Sequence, residues 1–344
     1  MKLFDKVLKR IDIGKEGNNK GLSHGMERLR QYLPDINKGT YYLVGAETSA
    51  GKTSFVDNFF MYNPYEHLMS NPNTDIKLNI IYFSLEIDKE IKITKGIARK
   101  LYIDYNLEVD VNAILSRGKY RISDEVYSKV LETRHYFEKL EDNLVIFDVP
   151  AHPTAIYDYL KKYADANGKF IEEGHQVNYI PNNPKLHTII IVDHIGLVKK
   201  QQGLNKKDNI DKLSEYMIYF RNKCGFIPVL ISQFNRTISS TDRFKLEMVT
   251  PQLSDFKDSG GPSEDANVVM ALFNPHRYAI ENFIGYDINK LKGTFRSLSL
   301  LKNRDGEDSK TLGMKFVGSC GYFSELPKPE EMIQNGGFQL NIKQ

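Results

Sequence analysis

Apolar positions recur along this chain with two periods. Leu3, Phe4, Val7, Leu8 and Ile11 fall at i, i+1, i+4, i+5 and i+8, which predicts a short helix over residues 3–12 with one apolar face. The polar, glycine-rich run over residues 14–21, GKEGNNKG, then reads as a linker. A helix ahead of a linker either packs on its own domain or docks on another subunit, and the pattern leaves both open. From Tyr41 onward, short β-rich runs alternate with helical patterns. They predict strands over residues 41–45, 79–84, 144–148, 188–193, 226–232, 267–273, 297–302 and 313–317. Runs such as IIIV and NVVMALF are continuously apolar, as strands buried on both faces of a mostly parallel sheet must be. Ile210, Leu213, Met217 and Phe220 recur at helical spacing, and Gly225 is placed to end that helix. The last two strands, separated by NRDGEDSK, read as an antiparallel hairpin at the sheet edge. Residues 62–77 and 165–187 are polar and rich in Asn and Pro, so both read as surface loops. No internal repeat is visible.

Composition narrows the class without naming a function. Of 344 residues, 41% are apolar and 26% charged, which fits a globular chain and excludes a disordered one. The length allows one large α/β domain or two small ones. Forty-seven Lys and Arg against 44 Asp and Glu leave a charge of +3. That balance excludes a polycation but not a nucleic-acid ligand, which needs only a local basic stripe. Cys224 and Cys320 have no metal-binding spacing, so a reduced, intracellular protein without a zinc framework is expected. No signal-peptide core and no run near the roughly 20 apolar residues of a membrane span is present, so no membrane association is expected.

The strongest chemical signal is Gly45-Ala46-Glu47-Thr48-Ser49-Ala50-Gly51-Lys52-Thr53, followed by Ser54, between the predicted strand YYLV and a helical run. This is a Walker A phosphate loop with Ala46 at the usual first-glycine position. Small residues let successive amides turn inward on phosphates, and the helix N-terminus adds partial positive charge. Lys52 is suited to the β- and γ-phosphates of ATP, and the Thr53 hydroxyl to Mg²⁺. Asp193 ends the apolar run TIIIVD, where a carboxylate can hold Mg²⁺ through water; a strand-end Asp that merely starts a turn is the plain alternative. Glu86 ends IIYFSLE, where it suits an acceptor for attacking water, or simply first-turn charge on the next helix.

FSLE followed by a helix, IIIVDHIGL, ISQFNR, LSDFKDSGG with EDAN, and LLKNRDG occur in one order around this loop. The set resembles the C-terminal motor domain of DnaB-type replicative helicases from about Gly21 to Phe323. The resemblance implies an α/β, RecA-like fold and ATP-driven translocation of a hexameric homo-oligomeric ring along single-stranded DNA, 5′ to 3′. Glu86 then matches the catalytic glutamate, Asp193 the Walker B acid, and Gln233 the glutamine that senses the γ-phosphate. Lys302 and Arg304 match the basic pair that reaches a neighbouring subunit's γ-phosphate. Lys257, Asp258, Ser259 and Gly260 fall where the family carries a pore loop. Lys199, Lys200, Lys206 and Lys207 match a second central loop, although a lysine run is also an ordinary solvated face. Neither loop offers base-reading chemistry, so sequence-tolerant, salt-sensitive binding is expected.

The resemblance also has departures. His194 replaces a more usual Tyr, Lys95 and Lys257 stand where Arg is common, and the segment 165–187 is unusual. The expected division is a helix and linker over residues 1–20, a motor over 21–325 and a tail over 326–344, with no N-terminal collar. That absence weighs against primase coupling and collar-dependent loading, while a loader and a primase remain the family's partners. A bacterial cytoplasm or a phage-infected cell is the expected location. Two other functions stay open: a RecA- or KaiC-like ATPase that does not unwind, and a nucleotide-binding, non-catalytic subunit of a helicase ring.

Overall fold

Alternation of side chains along each strand decides how the two cores form. Tyr42, Val44, Ile80, Tyr82, Ile189 and Ile191 enter one buried cluster; their neighbours Tyr41, Leu43, Ile81, Phe83, Ile190 and Val192 enter another on the opposite face. A strand with both faces covered has no polar phase, which is why these runs are continuously apolar. The computed structural model describes residues 3–17, 20–174, 176–235, 238, 243, 249–256 and 260–334.

The strands are β1 (Tyr42–Ala46), β2 (Lys77–Ser84), β3 (Leu144–Phe147), β4 (Gly168–Glu173), β5 (Gln176–Pro181), β6 (Leu186–Asp193), β7 (Ile227–Gln233), β8 (Val268–Phe273), β9 (Asn282–Phe283), β10 (Tyr286–Asp287), β11 (Phe295–Asn303), β12 (Lys310–Val317) and β13 (Tyr322–Glu325). A nine-stranded sheet has the order β13-β12-β11-β8-β1-β7-β6-β2-β3. From β8 to β3 all neighbours are parallel, and β11, β12 and β13 add antiparallel. The parallel arrangement sends the C-terminal ends of β1, β2, β6 and β7 to one edge, where open α/β sheets bind ligands. The helix Lys206–Cys224 starts with an Asn205–Asp208 capping box and stops at Gly225, whose φ of 68° suits the left-handed cap. No described helix is long and apolar enough to cross a membrane.

Three expectations need correction. Residues 62–77 are not all loop: Asn63–Ser70 is helical, with Pro64 and Tyr65 buried. The chain is helical without a break from Lys52, and Pro64 directly follows a widened π turn over Asp57–Tyr62, which accommodates it within the helix. Residues 165–187 are not a surface loop either. The helix Pro153–Asn167 runs into the antiparallel pair β4–β5, and β6 already begins at Leu186. Tyr179 packs on Phe170 at 4.9 Å and its hydroxyl donates to the Ala164 carbonyl at 3.0 Å, so the hairpin is held against the preceding helix. Finally, β11 and β12 pair as expected, but β13 lies outside them and forms the edge.

The N-terminal helix runs over Leu3–Lys15, past the expected end and through Gly14. Phe4 is 69% and Ile11 52% exposed, and Val7 and Leu8 are exposed as well, so its apolar face does not pack on the domain.

Candidate functional site

The loop after β1 is shaped from outside. A Cβ on Gly45 would lie 2.4 Å from the Phe256 ring and 2.5 Å from that of Phe234, so only glycine lets the strand leave beneath both. Gly51 (φ +94°) turns the chain into the helix Lys52–Val56, and Ser49 (φ 65°) is also left-handed. Arg277 Nη1 donates to the Thr48 carbonyl and Arg296 Nε to the Ala50 carbonyl, both at 2.9 Å. In a trans peptide the N–H points opposite to the C=O, so the Ser49 and Gly51 amides point away from these arginines. Burial lowers the Arg296 pKa to about 10. The Tyr278 hydroxyl donates to Glu47 Oε1 at 2.5 Å, and Gln233 Nε2 donates to Thr48 Oγ1 at 2.5 Å. Gln233 reaches the loop because β7 pairs with β1 up to Ala46 opposite Gln233.

Strand register brings two acids to the same edge. Ser84 lies opposite Asp193, and the Leu85 amide donates to the Asp193 carbonyl at 2.7 Å, so Glu86 leaves the sheet beside Asp193. Glu86 Oε2 is 3.9 Å from His194 Nε2. His194 Nδ1 accepts from the Gly196 amide at 3.1 Å, which leaves a neutral ring's proton on Nε2, facing Glu86. Burial, then the Lys52 charge, lowers the His194 pKa against the opposing pull of Glu86 and Asp193. Lys52, Glu86 and Asp193 therefore surround one imidazole. Lys52 is buried at the start of its helix, Thr53 is half-buried beside it, and Ser54 follows on the same turn.

Asp193 is fully buried, and its Oδ1 has no hydrogen-bond partner while Oδ2 accepts from the Tyr82 hydroxyl at 3.3 Å. A buried carboxylate oxygen left bare beside a phosphate loop fits a divalent cation or its water, which makes Asp193 and Thr53 a fitting pair for one. Thr53 is tied to the same cluster: the Asp57 amide donates back to the Thr53 carbonyl, and the Asp57 carboxylate accepts from Tyr82.

Lys302 and Arg304 stand elsewhere. β11 runs against β8, with Asn303 opposite Val268 at the beginning of β8 and Ser297 opposite Phe273 at its end. Six residues of strand at about 3.3 Å each separate the pair from the phosphate-loop edge by about 20 Å. There Lys302 Nζ donates to the Ser263 and Glu264 carbonyls at 3.0 and 2.7 Å, and Arg304 Nη2 to that of Glu264 at 2.6 Å. Those carbonyls end the helix Gly260–Asp265. Of the expected pore-loop residues, Lys257, Asp258 and Ser259 lie outside the described residues, and Gly260 begins this helix. Lys206 and Lys207, expected in a loop, instead form the first turn of the helix Lys206–Cys224; Lys206 is near enough to His194 to help lower its pKa. Lys199 and Lys200 are exposed in the loop before it.

Six residues at this site escaped the sequence reading. Arg277, Tyr278 and Arg296 lie in no phosphate-loop motif. Asp57, Tyr82 and Lys92 were hidden inside segments read only for their apolar phase, although a charged residue on such a face is itself a signal.

The model of the DnaB-like helicase C-terminal domain matches residues 21–325. The chain is 23% identical over 259 residues to the replicative DNA helicase DnaB of Helicobacter pylori, covering 75% of this chain and 44% of that protein. It is 21% identical over 264 residues to the replicative DNA helicase DnaB of Rickettsia typhi, covering 75% and 46%. The chain thus spans less than half the length of these curated relatives. A solved ATPase domain superposes with a TM-score of 0.70 at 18% identity, covering 94% of this chain and 98% of that one. A DnaB-like replicative helicase, solved together with its interactions with primase, superposes with a TM-score of 0.70 at 18% identity, covering 95% and 68%. These superpositions agree with the RecA-like architecture expected from the sequence. With the family's domain matched over nearly the whole described sheet, the chain belongs to the DnaB-like helicase C-terminal domain family.

Proposed function

We propose that the chain is the motor of a ring-forming, ATP-dependent replicative DNA helicase that moves 5′ to 3′ on single-stranded DNA. One observation carries this reading: the candidate site is divided between the two ends of one sheet. The loop from Gly45 to Ser54, with Lys52, Glu86, Asp193 and Gln233 around it, would bind ATP. Thr53 and Asp193 would hold Mg²⁺, which supplies charge for the phosphates when bound. Glu86 would orient or deprotonate the attacking water, and Gln233 would register the γ-phosphate through its bond to Thr48. Lys302 and Arg304 are about 20 Å from that edge and would serve a neighbouring copy. A head-to-tail ring, hexameric by family, supplies the neighbour. An arginine delivered this way contributes about 10³ to 10⁵ in rate.

For DNA, the supporting feature is placement. Lys302 and Arg304 bond to the end of the helix Gly260–Asp265, which directly follows Lys257, Asp258 and Ser259. A shift of the pair toward a neighbour's phosphate would pull that helix and the residues before it, coupling hydrolysis to a DNA-tracking loop. Lys206 and Lys207 put positive charge on the first turn of their own helix, where it would add to the dipole's pull on a polyanion in the channel. We treat residues 21–325 as the motor, 1–20 as a docking arm and 326–344 as a tail. A primase and a loader are candidate partners, the first because a DnaB-like helicase of this fold was solved with its primase interactions. The test is strand displacement on forks with a 5′ or a 3′ tail, with and without ATP. ATP-dependent opening of the 5′-tailed fork is expected; DNA-stimulated hydrolysis without displacement of either fork would instead support the non-unwinding ATPase.

A further inference from the structure

Three buried side chains beside this site have no role in the chemistry above. Lys92 Nζ lies 3.0 and 3.1 Å from the two Asp57 carboxylate oxygens and 3.8 Å from the centroid of the Tyr82 ring. The Tyr82 hydroxyl lies 2.9 Å from Asp57 Oδ1 and 3.3 Å from Asp193 Oδ2. Lys92 is 1% exposed, Tyr82 and Asp193 0%, and Asp57 5%. A buried ion pair is seldom more stabilising than apolar residues of equal volume, so stability alone does not explain this one. Its placement offers a reason. Asp57 follows Thr53 by one helical turn, while Tyr82 on β2 and Lys92 on the helix Lys89–Tyr105 lie on either side of Glu86, which falls between those two elements. The cluster thus joins the three segments that carry the phosphate loop, Glu86 and Asp193.

We propose that Tyr82, whose hydroxyl is shared with Asp57, is the positioning residue for Asp193. Its hydroxyl fixes Asp193 Oδ2, which sets the rotation of the carboxylate and leaves Oδ1 turned to the cation. A tyrosine suits this task because it is neutral. It orients the carboxylate without cancelling the charge that a divalent ion needs, whereas a lysine bonded directly to Asp193 would compete with that ion. Lys92 is therefore spent on Asp57, where it relieves the repulsion between two carboxylates sharing one donor proton.

The inference rests on reading Asp193 as the acid that holds the cation, and one titration separates the two. Binding of N-methylanthraniloyl-ADP to the full chain is followed by fluorescence as Mg²⁺ is raised. Tyr82→Phe keeps the ring under Lys92 and removes only the hydroxyl. It should leave Mg²⁺-free binding unchanged and raise the Mg²⁺ concentration at half-effect by about 10- to 100-fold. The double variant Asp57→Leu with Lys92→Met removes the pair together and should keep a near-native Mg²⁺ requirement, because Tyr82 still reaches Asp193. An unchanged Mg²⁺ midpoint in Tyr82→Phe overturns the inference alone. A large shift in the double variant with none in Tyr82→Phe assigns the positioning to the ion pair and overturns it too. Wild-type binding that ignores Mg²⁺ altogether would remove the metal reading of Asp193 beneath it.

Discussion

Arg304 and Lys52 belong to one chain yet stand at opposite ends of its central sheet. The Arg304 amide donates to the Asn267 carbonyl, just before β8 begins, whereas Lys52 opens the helix reached from the far end of β1. Strands β1 and β8 are parallel and in register from Tyr42 and Val268, so the separation is built into the sheet and no side-chain rotation closes it. On the proposed reading, a complete site would take Lys52 and Glu86 from one copy and Arg304 from another.

That division predicts complementation. Arg304→Ala and Glu86→Gln should each be nearly inactive as ATPases alone. Mixed before assembly, they should regain activity, because some interfaces pair an intact Glu86 with an intact Arg304. Catalysis within single subunits would leave the mixture as inactive as its parts, and a phosphate-release assay distinguishes the two.

Glu86→Gln alone should keep nucleotide affinity and lose turnover. Its side chain is 45% exposed, so the isosteric amide is tolerated at little cost in stability. Loss of a base that aligns water lowers turnover by about 10² to 10⁴. Turnover near wild type, with binding checked on the same sample, would leave Glu86 as an exposed carboxylate ahead of the helix Lys89–Tyr105, whose own first-turn acid is Glu90.

Much of this arrangement was legible in the residues, for a physical reason. Strands buried on two faces cannot hide their apolar runs, and a phosphate loop has few alternatives to GKT, so β1, β2, β6, β7 and the loop could be read directly. Segments whose stability is distributed over tertiary contacts were harder. β4 and β5 carry Phe170 and Tyr179 among polar neighbours, and their pairing is visible only once both rest on the helix Pro153–Asn167. Asn63–Ser70 is helical because Tyr65 is buried, which no local pattern announces. The cluster of Asp57, Tyr82 and Lys92 is the extreme case. Its members lie on three elements, and each alone is simply a polar residue in an apolar stretch.

The N-terminal helix yields a prediction about assembly. Thirteen residues are near the minimum for a helix stable by itself, and Phe4, Val7, Leu8 and Ile11 are exposed. Fully covering such side chains is worth about 1.5–3 kcal/mol each, enough to favour docking on a second copy. Deleting residues 1–13 should lower the oligomer mass measured by light scattering at micromolar protein. An unchanged mass would mean that the helix contributes nothing to the ring.

Acid should destabilise the fold through His187, at the start of β6. Burial lowers its pKa from 6.5 to about 4, and the nearby charges of Lys38 and Lys185 push the same way. Between those two values the unfolded chain binds a proton that the folded chain refuses. Stability is therefore complete above pH 6.5 and declines as pH falls toward 4. With 1.36 kcal/mol per pKa unit, the full decline is about 3 kcal/mol. Buried His24, stacked on Phe59, is lowered by burial and adds to the same trend. Thermal unfolding from pH 7.5 to pH 4 should show a steeper loss for the wild type than for His187→Asn, which cannot take up the proton. Parallel curves would mean that His187 titrates alike in both states, and the acid sensitivity would then belong to other groups.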